Sequence, residues 1–166
     1  TYPKEEKKAI CDVAEDHNLW LIDDITYRDF APNHTLAADI LPEKTITAYS
    51  VSKNCGLAGM RVGSLVGPKE FIKDIRGTMV SDLGINVVGQ RASIAALETK
   101  SEWLPGLIKT ALKNQAIIKN AVDKIDGVVL PVYPSAASMM VIDISKHNAN
   151  PQEVQDKLLY ENDIFV

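Results

Sequence analysis

The stretch Ser50-Val51-Ser52-Lys53-Asn54-Cys55-Gly56-Leu57-Ala58-Gly59-Met60-Arg61-Val62-Gly63 concentrates residue types able to do chemistry on an anionic ligand. Lys53 stands among the hydroxyls of Ser50 and Ser52, the guanidinium of Arg61, and glycines at 56, 59 and 63. Glycines let a backbone turn tightly and approach a ligand closely. Short neutral donors plus one planar, charge-assisted clamp are what a phosphate dianion needs. A lysine beside them forms an imine with an aldehyde once burial or neighbouring positive charge lowers its pKa. A P-loop places its glycines before its lysine, whereas here they follow it. By themselves these residues describe a phosphate site with a lysine. Upstream, Leu21-Ile22-Asp23-Asp24-Ile25-Thr26-Tyr27 ends an apolar run in two carboxylates, with a phenol three positions after Asp24.

The pattern along the chain places both groups at the ends of strands. Pro3 with Glu5 and Glu6 predicts a helix start at Thr1 or Tyr2. Ala9, Ile10, Val13 and Ala14 continue that helix as an apolar stripe, which Asn18 ends. Leu19 to Ile22 is a continuous apolar run of the kind buried on both faces of a parallel sheet. Further strands are expected at Thr45 to Tyr49, just before Ser50, and at Val62 to Val66, just after Arg61. A helix from Lys69 carries Phe71, Ile72, Ile75 and Met79 on one face. Gly84 and Asn86 mark a break, and a further helix runs from Val88 to Thr99. The longest helix starts near Leu104, shows Leu107, Ile108, Ala111, Leu112, Ile118, Val122 and Ile125 at helical spacing, and is closed by Gly127. Val128 to Val132 and Met139 to Ile144 read as strands joined at Pro134-Ser135. Asn150-Pro151-Gln152-Glu153 starts a last helix with a capping box. The order of elements predicts an α/β fold, with one unit over 1–127 and the beginning of a smaller α+β unit over 128–166. The ending Asn162 to Val166 reads as the entry into another strand, so a truncated chain is expected.

Lys and Arg total 18 against 22 Asp and Glu, a net charge of -4. That balance gives no basic footprint for nucleic acid and no polybasic patch for a membrane surface. No apolar run approaches the roughly 18 residues needed to span a bilayer, and the N-terminus lacks a signal-peptide pattern. A cytoplasmic location is expected. Cys11 and Cys55 show no metal-ligand spacing and read as free thiols in a reducing compartment. His17, His34 and His147 have no partner at ligand spacing and read as solvent-facing or capping. Met139-Met140 reads as core. Singly, each candidate has a plain structural reading: a strand-end aspartate as a turn or cap, Tyr27 as half-buried packing, the serine pair as a turn, Arg61 as a surface charge. Asp23 keeps that reading, since nothing selects it as a ligand. For the others it is reversed only by the resemblance that their joint spacing carries.

Ser50-x-Ser52-Lys53-x-x-Gly56-Leu57-x-Gly59-x-Arg61-x-Gly63 resembles the pyridoxal-phosphate attachment motif of class I/II, fold-type I aminotransferases. Asp24 and Tyr27 resemble the family's strand end, with Ile25 in place of its usual glutamate. Gln90 to Leu97, the long helix, Gly127 and Met139 to Ile144 follow the family's order, so the resemblance covers nearly the whole chain. It implies part of a large three-layer α/β/α domain followed by the start of the small domain. It further implies that Lys53 holds pyridoxal 5′-phosphate as a Schiff base and then acts as general base and acid. Asp24 would pair with the protonated pyridine nitrogen, Tyr27 would hydrogen-bond the 3′-oxygen, and Ser50, Ser52 and Arg61 would bind the phosphate.

The family's Gly-rich phosphate turn, ring-stacking aromatic and asparagine would lie upstream, since Thr1-Tyr2-Pro3-Lys4 resembles the stretch after its N-P-x-N-P-T-G segment. The arginine that grips the substrate carboxylate would lie beyond Val166. The implied activity is transamination between an amino acid and a 2-oxo acid, of aspartate, aromatic or alanine type, by a homodimer, with this piece alone inactive. The same scaffold also carries β-eliminating lyases and the aminotransferase-like domains of some transcription regulators. A fragment that never binds cofactor by itself is a further reading.

Overall fold

The computed structural model describes residues 2–31, 33–79 and 84–166. Thr1, part of the expected helix start, lies outside them. Helix α1 spans Lys4–Asp16, with Pro3 at its N-cap and Glu5 and Glu6 in its first turn. Its buried face is Lys7, Cys11 and Ala14, so only Ala14 of the expected stripe is buried; Ala9, Ile10 and Val13 are exposed. The helix is rotated because the Lys7 ammonium reaches inward to Asp23, 3.0 Å from its Oδ1. Cys11 and Ala14 pack with Ala37 and Leu41 in a small core that Leu21 and Ile40 border.

Strand β1 spans Leu21–Asp24 and alternates half-buried with exposed. The expectation of a strand buried on both faces is therefore corrected: Ile22 is 71% exposed, and Leu21 and Asp23 face the α1 side. Strand β2, Thr45–Ser50, is central and buried over Thr45, Ile46 and Thr47. It pairs parallel to β1, with Asp24 opposite Ala48. Strand β3, Gly63–Val66, pairs antiparallel to β2, with Ser50 opposite Gly63. The sheet order is β1-β2-β3, a mixed sheet. The crossover from β1 to β2 uses short 3-10 turns at Arg28–Phe30, Ala37–Asp39 and Pro42–Lys44.

Helix α2, Lys69–Thr78, turns Phe71, Ile72 and Ile75 inward, whereas Met79 falls beyond its end and is exposed. Phe71 packs against Trp20 with the rings tilted and their centroids 4.3 Å apart. Helix α3, Val87–Glu98, begins at the break that Gly84 and Asn86 announce, and Asn86 caps it by accepting a hydrogen bond from Gly89 N. Helix α4, Lys100–Val122, starts a turn earlier than its apolar spacing indicates and holds Pro105 inside.

The chain divides into two compact units, one ending at Leu107 and one over Ile108–Val166. In the second unit α4 buries Gln115 and Val122, while Leu112, Ile118 and Ile125 of the expected stripe are exposed. The Gln115 amide clamps the following loop: Nε2 donates to Ser135 O and Ala137 O, and Oε1 accepts from Ser135 N at 3.0 Å. The strands expected at 128–132 and 139–144 reduce to one isolated antiparallel bridge, Val129 with Asp143. Apolar β-branched composition marks those segments as strand-like, but a strand forms only where a neighbour supplies a ladder. Met139, expected in the core, is 57% exposed for the same reason. Helix α5, Pro151–Asn162, is capped by Asn150 Oδ1, which accepts from Gln152 N at 3.0 Å.

Candidate active site

The parallel pairing of β1 and β2 sets the site, because it brings the carboxyl ends of two strands to one edge of the sheet. Ligands of open α/β sheets bind at such an edge. Asp24 closes β1, Tyr27 lies in the turn after it, and Ser50 closes β2. Ile25 N donates to Ala48 O at 2.9 Å, which carries the β1 backbone past the sheet alongside β2. The connection from Val51 to Val62 then returns the chain to β3, so Arg61 re-enters the same edge.

Ser50 and Ser52 form a local hydroxyl cluster. Ser50 Oγ accepts from Ser52 N at 3.1 Å and lies 2.8 Å from Ser52 Oγ. Lys53 follows it, exposed, with no hydrogen-bond or ion-pair partner among the described residues. Gly56 has φ +66, which a side chain rarely tolerates, so the glycine is required by the turn rather than by packing. Arg61 also takes a left-handed backbone, φ 56, and its guanidinium Nη1 donates to Ala58 O at 2.8 Å. Its remaining donors face outward on an exposed side chain. Asp24 Oδ1 accepts from Thr26 Oγ1 at 2.6 Å and from Thr26 N at 3.0 Å. The Thr26 hydroxyl first, and its N–H second, hold the Asp24 carboxyl below the usual carboxylate range. Tyr27 is half-buried, its ring 6.4 Å from that of Phe30.

All six candidate positions, Asp24, Tyr27, Ser50, Ser52, Lys53 and Arg61, thus sit on one sheet edge or the loops springing from it. Chemically, the edge offers an anionic carboxylate, a phenol, two hydroxyls, a guanidinium and a free amine.

The family model for class I and II aminotransferases matches residues 1–166. The chain belongs to that family. A probable aspartate/prephenate aminotransferase of Thermus aquaticus is 26% identical over 165 residues, 95% of this chain and 42% of its own length. An aspartate aminotransferase of Pyrococcus horikoshii is 35% identical over 108 residues, 62% of this chain and 27% of its own. Among solved structures, the aromatic aminotransferase of Pyrococcus horikoshii superposes with a TM-score of 0.86 at 21% identity, covering 100% of this chain and 46% of that one. Cystalysin of Treponema denticola, which contains a pyridoxal 5′-phosphate cofactor, superposes with a TM-score of 0.87 at 22% identity, covering 99% and 44%. This aminotransferase-family chain spans less than half the length of these relatives.

Two polar clusters in this aminotransferase-family chain escape the sequence pattern. Beneath the Lys53 loop, buried Asn54 donates from Nδ2 to Asp29 Oδ2 and, at 2.8 Å, to Tyr49 Oη. Asp29 also accepts from Tyr49 Oη at 3.3 Å and is ion-paired with Lys100 Nζ. Burial, before any other influence, pushes the Tyr49 phenol and the Cys55 thiol up. The second cluster corrects two readings. Asp23 is not a cap or turn residue: it accepts from buried Lys7 and from Ala37 N at 2.9 Å. His34 is not solvent-facing: its Nε2 lies 3.3 Å from Lys7 Nζ, and its Nδ1 is buried without a hydrogen-bond partner among the described residues. An ammonium only donates, so Nε2 accepts and Nδ1 carries the proton. Burial first, and Lys7 second, hold the imidazole below its ordinary pKa. His17 and His147 are exposed, and His147 Nε2 lies 2.8 Å from Asp126 O. Cys11 and Cys55 are free thiols. No described group of three His, Cys, Asp or Glu residues could hold a metal, and no described helix is long and apolar enough to cross a membrane.

Proposed function

We propose that this chain supplies the lysine-bearing part of a pyridoxal-phosphate-dependent aminotransferase that moves an amino group between an amino acid and a 2-oxo acid, of aspartate, aromatic or alanine type. One observation carries the reading: an exposed Lys53 amine, without a partner among the described residues, on a serine-pinned loop at the carboxyl edge of β2, beside the anionic end of β1. The donor set fits the cofactor. Two hydroxyls and a guanidinium match a phosphate, the carboxylate matches a ring N–H, and the free amine matches an aldehyde. When bound, pyridoxal phosphate supplies an electron sink for the carbanion left by proton loss.

The chain's own residues do the rest. Lys53 would be the covalent attachment point, and its Nζ, once released, would move the proton between the substrate α-carbon and the cofactor's C4′ carbon. Asp24, kept anionic by Thr26, holds the proton on the ring nitrogen. The Tyr27 hydroxyl donates to the ring 3′-oxygen. Ser50, Ser52 and Arg61 fix the phosphate, so the ring cannot slide relative to Lys53. We take the large-domain part to run over 1–127, with the small domain beginning at 128, in a cytoplasmic homodimer.

The test is borohydride reduction after adding pyridoxal phosphate, followed by peptide mapping. The label is expected on Lys53, and a label on Lys44 or Lys69 instead overturns the assignment. Incubation with an amino acid and a 2-oxo acid then reads the activity as appearance of the exchanged pair.

A further inference from the structure

Asn54 is the residue next to Lys53, yet the two have opposite surroundings: Lys53 is exposed, and Asn54 is 3% exposed. Its side chain is tied at both ends. Nδ2 donates to Asp29 Oδ2 and to Tyr49 Oη, and Oδ1 accepts from Cys55 N at 2.9 Å. Rotating it away would take one donor from the buried Asp29 carboxylate and one from the half-buried Tyr49 phenol. Asp29 in turn sits two residues after Tyr27, on the 3-10 turn Arg28–Phe30. One carboxylate therefore binds the turn that carries Tyr27, the end of the strand that leads to Ser50, and the loop that carries Lys53. Lys100, the first residue of α4, supplies the counter-charge that a buried carboxylate requires. Within that frame the Lys53 backbone is fixed from below while its side chain stays free above.

We propose that Asp29, acting through Asn54, is a positioning residue for Lys53: it holds the lysine loop in register with the Asp24–Tyr27 turn. The proposal rests on the reading of Lys53 as the attachment point. Neither Asp29 nor Asn54 touches the reacting atoms, so their effect is one of geometry, and a shift of an ångström at a reacting group costs on the order of 100-fold in rate.

Cys55 provides a reporter that needs no cofactor, because its N–H is bonded to Asn54 and its side chain is half-buried. In the full chain, thiol labelling of the cofactor-free protein, mapped to Cys55, is compared for the native protein, Asn54→Ala and Asp29→Asn. The buried Thr45→Val variant, which loses the bond from Thr45 Oγ1 to Leu41 O at 2.7 Å, serves as a destabilised control away from the loop. Both network variants are expected to label about tenfold faster, as a locally opened loop does, while the control stays near the native rate. The double variant is expected to be no faster than the faster single one, the mark of a shared bond. Borohydride fixation of pyridoxal phosphate on Lys53 is expected to slow several-fold in the same variants. Should Asn54→Ala fail to fold, Asp29→Asn, which keeps the side chain's shape, carries the comparison. Cys55 labelling within twofold of native in the network variants, or an equal rise in Thr45→Val, overturns the proposal. So does faster Cys55 labelling with unchanged fixation on Lys53. If the native protein fixes no pyridoxal phosphate on Lys53, the attachment reading fails, while the Cys55 rates still judge whether Asp29 holds the loop.

Discussion

Asp24 is exposed at the end of β1, yet the two hydrogen bonds from Thr26 favour its ionised form. A carboxyl whose folded-state pKa is depressed contributes stability that is present above its unfolded pKa of about 3.9 and lost as pH falls through the folded value. Thr26→Val removes the hydroxyl, the larger influence, and keeps the N–H. Asp24 is then expected to titrate at higher pH, and the part of the stability lost between its unfolded and folded pKa values to shrink; a carboxyl-carbon NMR titration checks the first and urea midpoints at falling pH the second. His34 moves with the same sign for a different cause. Burial holds its imidazole below about 6.5, so stability is full above that pH and declines on acidification toward the folded value. His34→Gln keeps an acceptor for Lys7 and does not titrate, so its urea midpoint is expected to stay flat from about pH 7 to pH 5, where the native midpoint falls. The contrast between these residues explains what was readable. Lys53, Ser50, Ser52 and Arg61 fall within one short segment, and spacing alone groups them. Lys7, Asp23 and His34 are 16 and 27 residues apart, and Asp29 and Asn54 are 25 apart, so only the folded sheet edge reveals those partnerships.

The start of α3 connects the lysine loop to the helical layer of the first unit. Asn86 caps the helix through Gly89 N at 2.6 Å and donates from Nδ2 to Met60 O at 3.0 Å, one residue before Arg61. Asn86→Ala is expected to cost about 1 kcal/mol as a lost cap. It also frees the Met60 carbonyl, so pyridoxal-phosphate affinity should fall if Arg61 holds the phosphate; thermal unfolding and a phosphate-competition titration separate the two effects. Gly89→Ala tests the same junction from the other side. Replacing glycine within a helix ordinarily gains up to about 1 kcal/mol, but here a Cβ would lie 2.9 Å from Asn86 Nδ2 and 3.0 Å from Val62 Cγ2. The expected sign is therefore destabilising, and a raised melting temperature would refute the junction's tightness. The start of α5 was legible because cap and proline signals are local: Asn150 and Pro151 stand where the pattern puts them, whereas Asn86 read only as a break and the structure makes it the cap of α3. The segments around Val129 and Asp143 were misread as strands because composition records only a preference, and the ladder depends on neighbours.

At the scale of the chain, the α/β class followed from the alternation of elements, but which faces are covered did not. Ile22, Val66, Val87 and Val88 are each more than half exposed. Among the described residues β3 pairs only with β2, which leaves its outer edge open. An open edge beside uncovered apolar side chains is a template for another copy of the chain. The 166-residue chain by itself is therefore expected to self-associate, and a monodisperse monomer in light scattering would refute this. Two variants locate the contact. Val66→Lys places a charge on the exposed edge strand and should lower the associated fraction, because a lysine there must be desolvated for a second strand to add. Val141→Lys changes an equally exposed residue of the second unit and should leave the fraction unchanged if the open edge is the contact. Equal effects of the two substitutions would mean that diffuse apolar exposure, and not the β3 edge, drives association.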